Sequence, residues 1–180
     1  MPNQQSNVLI HPGIPEEAEG SARMHAESFK SAFLSENEAR NVDVLAEAAR
    51  FVTPDRIRAR MELIQRSLEN AENEFFYTAT DTAGIPVGLI YGYKTDDIQE
   101  LAALYVAVPY FGTGVAQDLT RAFIDWCDGS RRIELGVVED NARAQRFYQK
   151  MGFQAVNEPY DSYYDYLKEI KMVLPIREEQ

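Results

Sequence analysis

The sequence predicts a mixed α/β fold, and three features of its patterning predict it. In the middle of the chain, short β-branched and aromatic runs alternate with amphipathic helical stretches. On either side, such runs come in pairs that read as hairpins. Ahead of them lies a helical stretch whose apolar residues recur three and four positions apart.

Taken in order, Asn7 to Ile10 reads as a short strand closed by the His11-Pro12-Gly13 turn. Pro15-Glu16-Glu17 opens a helix running toward Phe33 and Leu34, and a short helix follows at about Leu45 to Phe51. Thr53-Pro54-Asp55 combines a capping hydroxyl, proline at the first helical position and an acid against the helix dipole. Ile57, Met61, Ile64 and Leu68 mark the apolar stripe of that helix, which reaches about Asn73. Phe75 to Ala79 and Val87 to Tyr93 then form a hairpin through Asp81-Thr82-Ala83-Gly84. Gly88 and Gly92 inside its second strand predict a bulge or a close backbone approach. Next come a strand (about Glu100 to Val108), a helix (about Val115 to Asp128), a strand (about Arg132 to Val138) and a helix (about Ala142 to Met151). Gly152 is its C-terminal cap, and strands near Phe153 to Val156 and Leu167 to Leu174 follow.

The chain has 180 residues, 45% of them apolar, with no repeat or linker, so a single domain over residues 1–180 is expected. No apolar run is long enough to span a bilayer, and Met1 to Ile10 lacks the basic start and apolar segment of a secretory signal. One cysteine, Cys127, excludes an internal disulfide and a cysteine-based zinc site. With only His11 and His25 besides, no structural metal is expected, and the expected location is the cytoplasm. The formal charge of −11 argues against a nucleic-acid surface. It suits plain solubility, and it suits a cationic small-molecule substrate.

The strand ending near Val108 leads into Pro109-Tyr110-Phe111 and then Gly112-Thr113-Gly114-Val115-Ala116. Behind it Val115, Leu119, Phe123, Trp126 and Cys127 repeat with helical period. Backbone N–H groups at such a helix start suit an anion such as a pyrophosphate, and glycines let the oxygens approach. No Gly-Lys-Ser or Gly-Lys-Thr follows, so this is not a P-loop, and the third glycine of a dinucleotide fingerprint is missing. Alone, the turn leaves an anion site and an ordinary loop both open.

A second block narrows the choice. Ile133-Glu134-Leu135-Gly136-Val137-Val138 leads to Asn141, Ala144, Phe147-Tyr148 and Met151-Gly152-Phe153. Together the two blocks resemble the GNAT superfamily of N-acetyltransferases, as a small bacterial-type member. That family carries a Gln/Arg-x-x-Gly-x-Gly/Ala turn and a later Asn-x-x-Ala-x-x-Phe-Tyr-x-x-x-Gly-Phe segment. The first motif aligns as Phe111, Gly114 and Ala116; the second is complete. The resemblance runs from about Leu101 to Val156. It implies a twisted, mainly antiparallel sheet of about seven strands flanked by helices, and acetyl-CoA as acyl donor. It implies donor contacts from Val106, Val108, Phe111, Gly112, Thr113, Gly114, Val115 and Ala116, and from Asn141, Ala144 and Tyr148. Phe111 departs from the Gln or Arg of the family and cannot donate to a phosphate.

The chemistry asks for a base, since a primary amine with a pKa of about 10 is protonated at neutral pH. Glu100 matches in position the glutamate that several family members use; otherwise it is a solvated residue opening a strand. Glu134, then Asp96 and Asp97, stand behind it. The resemblance points to backbone N–H groups around Val106 to Val108 as oxyanion donors. Tyr148 matches the family's general acid, against the alternative of an ordinary aromatic on a buried helix face. Asn141 reads both as helix N-cap and as coenzyme contact. Tyr160, Tyr163, Tyr164 and Tyr166, among Glu158, Asp161 and Asp165, line either an amine pocket or an amphipathic surface or homodimer edge. Tyr91 and Tyr93 face the acceptor or the core, Cys127 packs on the buried side of its helix, and His25 reads as structural. The expected activity is acetyl transfer to a primary amine, of a small molecule or a protein N-terminus. The alternatives are a non-catalytic acyl-CoA sensor and a scaffold protein.

Overall fold

The structure is a computed structural model and describes residues 7–34 and 38–176; Met1 to Ser6, part of the stretch read for a signal, lie outside them. Seven strands form one sheet in the order β1-β2-β3-β4-β5-β7-β6. They are β1 (Leu9–Pro12), β2 (Glu74–Thr80), β3 (Pro86–Lys94), β4 (Gln99–Val106), β5 (Ile133–Val138), β6 (Gln154–Ala155) and β7 (Glu169–Leu174). Every neighbouring pair is antiparallel except β4 and β5, as the family resemblance implied. A parallel pair needs a crossover, supplied here by α4 (Val115–Trp126).

Two irregularities position the site. Tyr91 pairs with Ala103 while Gly92 pairs with Leu101, so Ala102 is an extra residue in β4 and the strand bends there. A Cβ on Gly92 would lie 2.3 Å from Phe123 Cε2 and 2.5 Å from the Glu100 carbonyl oxygen, which is the close approach predicted for that glycine. The second irregularity is a parting of the sheet. β4 and β5 pair only at Gln99 with Ile133 and Glu100 with Glu134, although both strands continue well beyond. From Leu101 to Val106 one edge of β4 therefore has no strand beside it.

Helix α4 packs on β2, β3 and β4 from one face, driving Val115, Leu119 and Phe123 into the main core; each such side chain contributes about 1.5–3 kcal/mol. Tyr148 of α5 (Ala142–Lys150) and Phe153 join the same cluster. The other face carries α1 (Ala18–Phe33), α2 (Glu38–Phe51) and α3 (Pro54–Glu69). Phe29, Phe33, Val44 and Ala48 form a second cluster there with Val138 and Leu167. Among the described residues no helix is long and apolar enough to cross a membrane.

Several expectations shift. β1 runs through His11 and Pro12, because both pair with β2 and the turn waits until Gly13. Pro15–Glu17 is a 3-10 turn before α1, and α2 starts seven residues earlier than the reading at Leu45. α3 stops at Glu69, not Asn73, where Asn70 leaves helical geometry. Thr53 occupies the N-cap position, but its hydroxyl donates back to the Arg50 carbonyl at 2.9 Å instead of capping. The stripe of α3 is also rotated. Ile64 and Ser67 are buried while Met61 and Leu68 are 42% and 45% exposed, so the inward line runs Ile57, Arg60, Ile64, Ser67. β4 ends at Val106, since Pro109 turns Val108–Tyr110 into a 3-10 segment.

Candidate active site

The glycine turn has the conformation its composition predicts. Gly112 and Gly114 adopt φ of 75° and 100°, the left-handed region that side chains resist, and Gly114 is the N-cap of α4. The first-turn N–H groups of α4, from Val115 and Ala116 onward, have no carbonyl behind them within the helix. Thr113 is absorbed by the turn itself, its hydroxyl donating to the Tyr110 carbonyl at 2.8 Å. The half-buried Phe111 ring carries the Arg143 guanidinium, centred 4.0 Å from the ring centroid. Arg143 is exposed and has no carboxylate within ion-pair distance among the described residues. The sequence signal for it was available, a cation two residues after Asn141, but it was not taken up.

Asn141 is the N-cap of α5, its Oδ1 accepting from the Ala144 N–H at 3.1 Å. That helix delivers Tyr148 into the core at 8% exposure, edge-on to Phe147 and Phe153, before Gly152 (φ 95°) ends it. Burial pushes the Tyr148 phenol above its ordinary value of 10, so the group holds its proton. Among the described residues its hydroxyl has no hydrogen-bond partner, and it is not fully sealed from the surface.

Glu100 sits at the point where the sheet parts. Tyr93 donates to its Oε2 at 2.6 Å and Tyr160 to its Oε1 at 3.0 Å. Tyr160 lies flat against β5: a Cβ on Gly136 would come within 2.1 Å of its ring. The ring therefore bridges β5 to β4 just beyond the last paired residues. Burial, then Glu100 itself, raises both phenols above their ordinary values, so they act as donors to the carboxylate. Glu134, the second candidate base, is 4% exposed and paired with Arg132 at 2.6 Å and Lys171 at 2.9 Å. Asp96 and Asp97 are exposed.

No hydrogen bond joins Glu100 to Tyr148. Tyr105, which sequence reasoning passed over, lies between the two faces. It projects from β4 toward α1, its ring 3.9 Å from that of His25, yet it is within electrostatic range of Tyr148 from the opposite face. Of the late tyrosines only Tyr160 reaches Glu100. Tyr164 packs on Phe29, Tyr163 is 72% exposed, and Glu158 is paired with Arg132. Cys127 is buried as expected, its thiol pushed up to about 12 by burial. Two recesses, about 650 Å³ beside Leu9, Gly13 and Leu68 and about 490 Å³ beside Cys127, Gly129 and Pro175, are lined by neither Glu100 nor Tyr148.

Comparison with known proteins finds relatives by sequence and by fold. Over 76 residues the chain is 43% identical to an uncharacterized N-acetyltransferase of Mycobacterium tuberculosis and to its Mycobacterium bovis counterpart. That match takes in 37% of this chain and 47% of the relatives, so the chain spans about half the length of the curated relatives it matches. Among solved structures, the PaiA N-acetyltransferase of Thermoplasma acidophilum in complex with coenzyme A superposes with a TM-score of 0.71 at 19% identity, covering 93% of this chain and 98% of that one. The ribosomal-protein-S5-alanine acetyltransferase of Vibrio fischeri gives 0.71 at 12% identity, over 96% and 94%; at such identities the likeness is one of fold. The model of the GNAT acetyltransferase family matches residues 41–153, more than half of the chain and all of both motif blocks, and the chain belongs to that family.

Proposed function

We propose that the chain transfers the acetyl group of acetyl-CoA to a primary amine, of a small molecule or a protein N-terminus, by direct attack. The observation that carries this reading is the opening between β4 and β5, at whose mouth Glu100 is held by Tyr93 and Tyr160. Donor phosphates suit the α4 start, where Gly112 to Ala116 offer backbone N–H groups and the helix dipole. The unpaired edge of β4, through Val106 toward Val108, suits the extended amide chain of the donor, which would add like a strand. The same edge offers N–H groups to the carbonyl oxygen as charge develops on it. Asn141 and Ala144 border this path from α5.

In the transfer, Glu100 takes a proton from the ammonium, directly or through water. The nitrogen lone pair attacks the thioester carbonyl carbon, the C–S bond breaks, and Tyr148 protonates the sulfur. The second proton shed by the nitrogen as the amide forms returns to the tyrosinate, directly or through water. A thiol resembles cysteine, with a pKa of about 8.5, so the acid assists a leaving group that is already fair. Removing Tyr148 should therefore sit near the low end of general-acid effects, about 100-fold. The test is free-thiol release from acetyl-CoA across an amine panel, in wild type, Tyr148→Phe and Glu100→Gln. Amine-dependent release is expected, with kcat lowered in both variants and the acetyl-CoA KM little changed. Binding of the donor with no turnover on any amine would instead mark a sensor.

A further inference from the structure

Arg60 turns inward on α3, in the line formed by Ile57, Ile64 and Ser67. Its Nη2 donates to His25 Nδ1 at 2.8 Å. A guanidinium only donates, so Nδ1 is the acceptor and the imidazole carries its proton on Nε2. That Nε2 is buried and has no partner. His25 is 8% exposed and fixed between two rings, Phe51 at 4.1 Å and Tyr105 at 3.9 Å.

Most other arginines in this acidic chain meet a carboxylate. Arg60 meets none among the described residues, although it is half-buried and burial lowers its pKa to about 10. The hydroxyl of Tyr105 likewise has no hydrogen-bond partner there. Arg60 and Tyr105 thus present unpaired donors on the face of the sheet opposite the glycine turn, with His25 holding the guanidinium. A buried donor left unpaired is costly, and one of formal positive charge more so. A carboxylate arriving with the substrate would meet the free N–H groups of the guanidinium and the Tyr105 hydroxyl, while His25 Nδ1 holds Arg60 in place.

We propose that Arg60, supported by His25 and Tyr105, binds a carboxylate on the acceptor, so that the acceptor is an amine that also carries a carboxylate, of the amino-acid class. The proposal rests on the acetyltransferase reading of the opening. One guanidinium and one neutral hydroxyl suit a single negative charge. A phosphate monoester would bring two, and Glu169, which acts on Tyr105, stands near. The chain's overall acidity favours cationic ligands, but this corner of it does not.

Matched ligands decide the matter by calorimetry. Each α-amino acid is compared with its amide and with the amine left by removing its carboxylate, lysine against cadaverine and phenylalanine against phenethylamine among them. Titrations run on the wild-type chain with and without bound CoA. At least one acid should bind about 10-fold or more tightly than both counterparts, the size of one charge-assisted hydrogen bond. Arg60→Gln should erase that preference and Arg60→Lys should keep part of it, with CoA affinity unchanged in both as the check on folding. Equal binding within every wild-type set, tighter binding of the bare amines, or a preference that survives in Arg60→Gln overturns the proposal. CoA affinity of the wild type is read separately: its absence removes the acetyltransferase reading, while the acid-against-amide comparison still decides whether this carboxylate site exists.

Discussion

At Phe111 the chain lacks the side-chain donor that its family places beside the donor's phosphates, and the Arg143 guanidinium stacks on that same ring. An exposed cation–π contact is worth about 0.5–1 kcal/mol, enough to hold the guanidinium near the turn without neutralising it. Arg143→Ala is expected to raise the acetyl-CoA KM about 10-fold with little change in kcat, an effect of one charged contact that shrinks as salt is added. S-acetylpantetheine, which has no phosphates, should be used equally by both proteins; an equal loss with both donors would remove Arg143 from phosphate binding. His25 makes a different prediction. Burial, then Arg60, keeps the folded imidazole well below its ordinary value of 6.5. Below pH 6.5 the unfolded chain therefore takes the proton first, and stability falls with pH until the folded group also titrates. Urea midpoints at pH 7.5 and 5.5 should show that loss in wild type and a smaller one in His25→Phe. An identical loss in both would place the pH dependence elsewhere.

Among the elements, β3 and β4 carry the constraint that shapes the opening. Gly92 has no room for a methyl group, because one of its neighbours is the backbone of Glu100 and the other is the ring of Phe123. Gly92→Ala should cost about 1–3 kcal/mol as overpacking. Gly88→Ala should cost less, since its neighbours at 3.0–3.3 Å are side chains of Leu119, Val115 and Ala79 that can yield. Chemical denaturation of the two variants checks the order, and a larger loss at Gly88 would contradict it. Both glycines were legible in the sequence as breaks in a strand, as were the turn at Gly112 to Gly114 and the cap at Asn141, because their cause is local backbone geometry. The stripe of α3 was not. Met61 and Leu68 have the right spacing, but Arg60 and Ser67 find hydrogen-bond partners off the helix, in His25 and in Glu74, and tertiary pairing outranks hydrophobic period. Glu100 was chosen by position alone; its two phenol partners come from residues 93 and 160, a pairing that only the folded sheet creates.

On the scale of the molecule, one sheet separates two kinds of surface and opens at one place between them. On one side lie the starts of α4 and α5, with glycine turn, Asn141 and Arg143; on the other lie α1 and α3, with His25, Arg60 and Tyr105. A donor and an acceptor approaching from opposite faces would meet where β4 has no neighbour, beside Glu100 and Tyr148. Hydrogen–deuterium exchange with and without CoA tests this directly. Slowed exchange is expected along Leu101 to Val108, across Gly112 to Ala116 and at the start of α5 from Asn141. Protection confined to the recess beside Leu9 and Gly13, or none at saturating CoA, would contradict it.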